Sequence, residues 1–237
     1  KKSRESIRKA IHDMIIRGVW KKTIKGVSSK DTKLIGSKWV FKVKRNGIFR
    51  ARLVALGYSQ IPGIDFTDNF APVVSDTCFR ILIVLALIML WEAEIIDIET
   101  AFLEGNLDVE IFMKIPDGYI EVFEEEINDD DCLLLEKSLY GLVQAAREFW
   151  KKLVNVLVKN MEFQQCPCDL CLFMKQENGK TIVICSYVDD IGLFGDKEMI
   201  TRFKHDISKH FKTKDVRKMT DYLSLDSMRD EKDKEIF

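Results

Sequence analysis

The chain has 237 residues, of which 46% are hydrophobic and 32% are charged, and its formal net charge at pH 7 is −1. This length allows one large domain or two small lobes with a substantial core, and the composition is that of an ordinary soluble globular protein. The longest apolar run, residues 81–91, is too short to span a bilayer and predicts a buried helix. The chain starts without a signal peptide and ends at Phe237 in mid-pattern, so we expect a piece of a longer protein.

The first third of the chain predicts a helix and a basic hairpin. Apolar residues recur at helical spacing over residues 4–19, with the end of the helix near Gly18. Residues 38–44 alternate apolar and charged, and Asn46-Gly47 then turns the chain into a returning strand over 48–56. We expect this hairpin to expose its lysines and arginines.

Basic and acidic residues are separated along the chain. Residues 33–64 contain seven lysines or arginines and no carboxylate, whereas residues 104–131 contain eleven carboxylates and one lysine. A charge run is usually only a solvated face, but a one-sign field of this length favours a polyanionic partner.

The remaining two thirds predict a mixture of helices and antiparallel strands. Helices are predicted at 76–92, 144–161 and 197–211, and strands at 94–98, 110–114, 133–135, 173–174, 181–187 and 191–195. The acidic stretch 121–131 is predicted to be a flexible excursion. Together these elements indicate an α+β fold: an antiparallel sheet, two long helices against it, and a basic hairpin lobe.

The tetrapeptide Tyr187-Val188-Asp189-Asp190 is the most informative local pattern, because it puts two carboxylates at the tip of an apolar hairpin. Adjacent like charges repel, and a divalent cation with oxygen ligands would remove that repulsion. The alternative is a solvated turn. Asp97 ends another apolar strand, and if the two strands are neighbours the three carboxylates form a site for two divalent cations. Taken alone, Asp97 would be only a strand-end carboxylate.

Two other metal chemistries have weaker support. Cys166, Cys168 and Cys171 cluster, but they lack a second Cys-x-x-Cys or a nearby histidine, so a zinc-binding interaction module is a distant alternative. A phosphotransferase of another kind would need a G-x-x-x-x-G-K-[ST] loop, which is missing from the sequence. Since nothing indicates secretion, we expect the six cysteines to stay reduced.

Seven motifs occur in the order found in copia-type retrotransposon reverse transcriptases, and the resemblance covers residues from about 20 to 225. They lie at residues 38–42, 50–55, 63–65, 70–73, 97–105, 137–142 and 187–190. The resemblance implies a right-hand polymerase palm, an antiparallel sheet backed by helices, with a fingers lobe and with the thumb largely missing beyond residue 226. It divides the chain into residues 1–92 (fingers and the start of the palm), 93–108 (palm strand with the first aspartate), 109–142 (fingers and acidic insertion) and 143–237 (palm with the aspartate hairpin).

The resemblance also implies roles for individual residues. The catalytic carboxylates fall on Asp97, Asp189 and Asp190, which would bind two Mg²⁺ ions, or Mn²⁺ as a substitute, with the carbonyl of Ile98 as a further ligand. Phe102 would exclude a 2′-hydroxyl, although core packing is the alternative. Further nucleotide contacts fall on Lys42, Lys44, Arg50, Arg52, Thr100, Ala101, Tyr140 and Gly141. Lys212 or Lys214 would donate a proton to pyrophosphate.

The function implied is RNA-directed DNA polymerase, adding dNTPs to a DNA or RNA primer on an RNA template. The partners implied are those nucleic acids and the RNase H and integrase regions of a parent polyprotein, in a cytoplasmic virus-like particle and without a membrane. The sequence departs from the family pattern at Leu56, Val143, Ala146 and Leu223-Ser224. Because of these departures, one alternative remains: a catalytically degenerate relic of such a polymerase, which binds nucleic acid without turnover.

Overall fold

The computed structural model describes residues 2–25, 33–43, 47–123 and 126–218, together with the short pairs 221–222, 225–226, 229–230 and 235–236. The chain divides into two compact units. Unit 1 contains residues 1–71 and 102–149, and unit 2 contains residues 72–101 and 150–237. In the described part of the chain, every helix falls short of the length and apolar character needed to cross a membrane.

The elements alternate between helices and strands along the chain. The helices are α1 (Lys2–Ile16), α2 (Asp76–Ile88), α3 (Ile120–Phe123), α4 (Ala145–Asn155, continued by a π-helical turn at Val156–Asn160) and α5 (Lys197–Ile207). The main strands are β1 (Trp20–Ile24), β2 (Ser37–Val43), β3 (Phe49–Ala55), β4 (Glu92–Ile98), β5 (Asn106–Lys114), β6 (Asp131–Lys137), β7 (Gln164–Gln165), β8 (Leu172–Glu177), β9 (Lys180–Tyr187), β10 (Asp190–Gly195) and β11 (Thr213–Lys218).

Unit 1 combines a three-stranded antiparallel sheet, in the order β1-β6-β5, with the β2-β3 hairpin. Helix α1 packs against β3. One hydrophobic core joins these elements, and its fully buried members include Ile11, Val19, Ile35, Met113, Leu133 and Leu139. The pairing of β1 with β6 was not predicted, because Trp20–Ile24 is only five residues long and three of the five are charged or polar.

The basic hairpin has one apolar and one basic face, as the alternation predicts. Lys42 lies opposite Arg50, and Val40 lies opposite Arg52, so the three cations share one face of the hairpin. Ala51, Leu53 and Ala55 are buried on the other face. Lys44 and the first half of the Asn46-Gly47 turn lie outside the described residues.

Unit 2 is built on a six-stranded antiparallel sheet in the order β11-β4-β10-β9-β8-β7. Phe79 of α2 makes an edge-to-face contact with Phe194 of β10, with ring centroids 6.0 Å apart. Lys204 of α5 pairs with Glu94 of β4, whose side chain points away from the face that carries its neighbour Ile95. Since Ile95 belongs to the α2 core, α2 and α5 cover opposite faces of the sheet. The predicted α+β class with an antiparallel sheet and helices against it is therefore confirmed.

The prediction that α2 is buried was wrong. Phe79, Leu82 and Ala86 pack toward the sheet, but the far side of the helix is exposed to solvent. The run is apolar all round, so periodicity could not reveal that only one side has a partner. The helix ends in a Schellman motif: the N–H of Trp91 donates to Ala86 and that of Leu90 to Leu87. Leu90 accordingly takes a left-handed φ of 56°, where glycine is usual.

Tight backbone packing fixes the segment around Tyr140-Gly141 in unit 1. The N–H of Ala55 donates to the Tyr140 carbonyl at 2.7 Å. Gly141 has φ +88°, and a Cβ added there would lie 2.2 Å from the Ala55 oxygen. Only glycine tolerates both the backbone angle and this approach.

We expect Gly141→Ala to destabilise the protein by clearly more than the roughly 1–2 kcal/mol that a left-handed alanine costs, because the added methyl also overlaps β3. Gly63→Ala is the matched control, since Gly63 has φ +81° and open space around its Cα. Urea unfolding of the two variants separates the steric cost from the backbone cost. Equal losses of unfolding free energy would contradict the close packing of Gly141 on β3.

Candidate metal and nucleotide site

The three predicted carboxylates lie at neighbouring positions where strands β4 and β10 of the unit 2 sheet approach the hairpin turn. Asp190 of β10 lies directly opposite Asp97 of β4, and antiparallel partners present their side chains on the same face. Asp189 precedes Asp190 in the hairpin turn, and its carbonyl accepts the Ile98 N–H at 2.9 Å. The register thus brings together residues separated by more than ninety positions in the sequence.

The same cross-strand row contains a lysine. On the other side of β4, Lys214 of β11 lies opposite Asp97, so Lys214, Asp97 and Asp190 follow one another across three strands on one face. Lys212 is placed differently, because its ammonium pairs with Glu99 at 2.9 Å. Sequence alone could not separate the two lysines as proton donors; the strand register puts Lys214 in the row of the carboxylates.

Backbone strain flanks this row. Val188, the first central residue of the Tyr187–Asp190 turn, has φ +55°, and Thr100, two residues after Ile98, has φ +59°. Both are β-branched residues in the left-handed region, where such side chains are rarely found. Strain of this kind persists only where the surrounding structure enforces it, and it concentrates at functional sites.

Asp190 also feels the negative charges of its two neighbours. Burial, together with the negative charges of Asp189 and then Asp97, raises the pKa of Asp190 to about 6. Each of these causes disfavours the ionised form, so the row stores electrostatic repulsion when all three groups are charged. A divalent cation would reverse the effect by favouring ionisation.

The donor chemistry of the row fits a hard cation such as Mg²⁺ or Mn²⁺, because every side-chain ligand offered is a carboxylate oxygen. The three aspartates occupy neighbouring positions in the strand register, but their side chains do not form a complete ion-binding site. Among the described residues, no group of three or more His, Cys, Asp or Glu side chains is close enough to hold an ion. That finding also covers Cys166, Cys168 and Cys171, so the zinc alternative gains no support.

A bracing network beside the hairpin was missed by the sequence analysis. Asp169 is buried, and its two carboxylate oxygens accept the N–H groups of Ser75 and Cys171, each at 2.9 Å. The Cys171 carbonyl accepts the N–H of Ser186, the residue before Tyr187, at 2.9 Å. Asp169 therefore fixes the strand that leads into the aspartate turn. The sequence analysis considered only the cysteines of this segment, and only the backbone contacts reveal the bracing role of Asp169.

Several predicted nucleotide-binding residues cluster in unit 1. The rings of Phe102 and Tyr140 meet edge to face with centroids 5.3 Å apart, and the Arg52 guanidinium lies 5.5 Å from the centre of the Tyr140 ring. The Arg52 Nε is buried and has no hydrogen-bond partner among the described residues. A buried donor without an acceptor is uncommon, and an anion such as a phosphate would satisfy it. Phe102 and Tyr140 also pack against the unit 1 core, so the packing alternative for Phe102 stays open.

The other basic residues of the hairpin are more open. Lys42 is exposed and Arg50 is half-buried on the strand directly opposite. Like charges in such a cross-strand pair are destabilising, and an anion between them would relieve the repulsion. Lys44 lies outside the described residues.

Comparison with known proteins identifies the class. The profile of the family described as "Reverse transcriptase (RNA-dependent DNA polymerase)" matches residues 21–236. The chain is 37% identical over 200 residues to the retrovirus-related Pol polyprotein from transposon TNT 1-94 of Nicotiana tabacum, covering 81% of this chain and 15% of that relative. It is 32% identical over 202 residues to the corresponding polyprotein from transposon RE1 of Arabidopsis thaliana, covering 83% and 13%.

A solved structure of a foamy viral protease-reverse transcriptase in complex with double-stranded DNA aligns with 94% of this chain and 33% of that chain, at 14% identity and a TM-score of 0.44. The assignment rests on the sequence matches. The chain belongs to the reverse transcriptase family, which confirms the resemblance seen in its motifs, and it spans about 15% of the length of the tobacco relative.

The raised pKa of Asp190 predicts an unusual pH dependence of stability when a chelator removes metal. Between the unfolded value of 3.8 and about 6, the native state binds more protons at Asp190 than the unfolded state does. This group's contribution to the unfolding free energy is therefore full below about pH 4 and is lost as the pH rises toward 6. Asp190→Asn should remove that decline and stabilise the metal-free protein at pH 7.

Urea unfolding at several pH values in EDTA tests this expectation. Asp13→Asn is the control, because Asp13 is exposed on α1 and far in sequence from the row. If the unfolding free energy of Asp190→Asn changed with pH in the same way as that of the parent protein across pH 4–6, the raised pKa of Asp190 would be contradicted.

Proposed function

We propose that this chain is the fingers and palm of an RNA-directed DNA polymerase, adding dNTPs to a primer 3′-hydroxyl on an RNA template. The observation that carries the proposal is the register that pairs Asp190 with Asp97, next to Asp189. Family membership supports the same activity. On this proposal unit 2 is the palm and unit 1 the fingers.

Asp97, Asp189 and Asp190 would hold the divalent ions, with the carbonyl of Ile98 as a further ligand. Bound there, two Mg²⁺ ions, or Mn²⁺ in their place, would activate the primer hydroxyl and stabilise the departing pyrophosphate. The carboxylates themselves would set the position of the primer terminus. The strained turn at Val188 and the brace from Asp169 would keep these groups in place before substrate binds.

The cations of unit 1 would receive the triphosphate. Arg52 supports this role through its unsatisfied Nε and its contact with Tyr140. Lys42 and Arg50 share its face of the hairpin, and the N–H groups of Thr100 and Ala101 would add neutral donors. Gly141 would line the pocket by allowing the close packing of its segment on β3.

Proton transfer to pyrophosphate would fall to Lys214 rather than Lys212. Lys214 lies in the carboxylate row, whereas Lys212 already pairs with Glu99. From that position Lys214 would donate a proton to the leaving oxygen as that oxygen gains charge.

The partners follow from the activity and from the relatives. An RNA template and a DNA or RNA primer would contact the basic hairpin through their backbones, so binding should weaken with salt. Since the relatives are Pol polyproteins of transposons, RNase H and integrase regions would accompany this segment in a cytoplasmic, reducing particle.

Asp189→Asn should reduce primer extension on poly(rA)·oligo(dT), with Mg²⁺ or with Mn²⁺, by at least about a thousandfold, because a neutral amide cannot hold the ions. Asp189 is exposed, so the thermal midpoint should not fall. Asp13→Asn should extend primers at the parental rate.

If Asp189→Asn extended primers at the parental rate, the assignment of this chain as a polymerase would be wrong. If the parent chain itself binds primer–template in a salt-sensitive way but extends nothing in either metal, the degenerate relic becomes the better description.

Phe102→Ala should lower discrimination against ribonucleotides by at least about tenfold, because the ring that would oppose a 2′-hydroxyl is lost. Phe102→Tyr, which keeps the ring, is the matched control. The measured quantity is the ratio of kcat/KM for dTTP and UTP. A ratio unchanged in Phe102→Ala would assign the ring to core packing alone.

A further inference from the structure

Two buried glutamine side chains of unit 1 are joined in a series of hydrogen bonds. Gln60 and Gln144 are 7% and 1% exposed, and the Gln60 Nε2 donates to the Gln144 Oε1 at 3.0 Å. At one end, the Gln60 Oε1 accepts the N–H of Val143 at 2.8 Å. At the other end, the Gln144 Nε2 donates to the carbonyl of Asp65 at 2.9 Å. We call these three hydrogen bonds the amide bridge.

The direction of the amide bridge is set by its two backbone ends. A backbone N–H can only donate and a backbone carbonyl can only accept. The Gln60 oxygen must therefore face Val143, and the Gln144 nitrogen must face Asp65. The two remaining amide groups then match each other as acceptor and donor. Hydrogen bonds in such a series polarise one another, and breaking one leaves buried polar groups unpaired, so the bridge is a specific connection.

The amide bridge connects two segments whose glutamines lie 84 positions apart in the sequence. One is the loop 57–65, and the other is the segment 140–144, which leads into α4. Backbone packing brings the same two segments together, because a Cβ added to Gly57 would lie 2.1 Å from the Gly141 oxygen. The position of the segment 140–144 is thus set by the loop as well as by β3.

We propose that Gln60 and Gln144 are positioning residues that hold the segment 140–143 in place for the incoming dNTP. This role rests on the proposed polymerase function. Tyr140 begins the segment, and its ring lies 5.5 Å from the Arg52 guanidinium. A shift of the segment would move that ring, and with it the support of the cation that would receive the triphosphate. The glutamines act on the nucleotide through the backbone of this segment.

The effect should appear in KM for the dNTP and not in kcat. The amide bridge lies in unit 1, whose cations would bind the triphosphate, and it contains none of the three aspartates that would hold the ions. A looser segment would weaken contacts that the substrate and the transition state share, and the loss of such contacts raises KM alone. A general loss of stability would instead lower the amount of active protein and leave KM unchanged.

Gln60→Met and Gln144→Met test this role, because methionine keeps an unbranched side chain of similar length without the amide. At saturating poly(rA)·oligo(dT), each variant should raise KM for dTTP at least about fivefold. Both changes break one bridge, so the double variant should show about the KM of the worse single variant rather than the product of the two effects.

Ser59→Ala is the matched control. It removes the hydrogen bond from the Ser59 hydroxyl to the Leu56 carbonyl, in the same loop, and leaves the amide bridge intact. We expect the parental KM in this variant. Urea unfolding would compare the stability of all variants. If the methionine variants do not fold, Gln60→Asn replaces them: its shorter side chain cannot span both contacts, and KM should rise at least about threefold.

A higher KM in the glutamine variants, with the parental value in Ser59→Ala and no further rise in the double variant, would support the positioning role. Parental KM values in the glutamine variants, or effects that multiply in the double variant, would overturn it and leave the polymerase proposal intact. A parent chain that extends no primer would remove the proposed function, and the positioning role with it.

Discussion

The antiparallel pairing of β4 with β10 is the constraint on which the candidate site depends. It alone brings Asp97 beside Asp190, and a slip of one residue would turn one of them to the opposite face of the sheet. The register is well determined because the rows below are apolar. Ile95 and Phe194 are both buried in the α2 core, so a shifted pairing would expose them. Packing beneath the site thus sets the geometry of the charges at its edge.

Those charges are costly to the fold. The raised pKa of Asp190 reflects burial next to two other carboxylates, and the turn that presents Asp189 holds Val188 in a strained conformation. Asp169 offsets part of this cost by fixing the backbone around Ser186 through Cys171. A site that lowers stability and is nevertheless held in place by buried hydrogen bonds is best explained by a function. Selection for stability alone would remove it.

Unit 1 shows the opposite electrostatic problem. Arg52 lies against Tyr140 with a buried donor unsatisfied, and Lys42 faces Arg50 across the hairpin. Cations would reduce the repulsion among the carboxylates of unit 2, and anions would reduce the repulsion among the basic residues of the unit 1 hairpin. Each of the two imbalances would be relieved by a ligand of the opposite charge.

Local sequence patterns determined much of this protein. Alternation and turn residues predicted the basic hairpin and the β9-β10 hairpin, and the acidic residues at strand ends identified the candidate carboxylates, because these signals act over a few neighbouring residues. Tertiary structure decided which residues face each other: Lys214 rather than Lys212 in the carboxylate row, Asp169 as a brace, and α2 covered on one side only. These depend on contacts between segments far apart in the chain, which neither hydrophobic periodicity nor turn chemistry encodes.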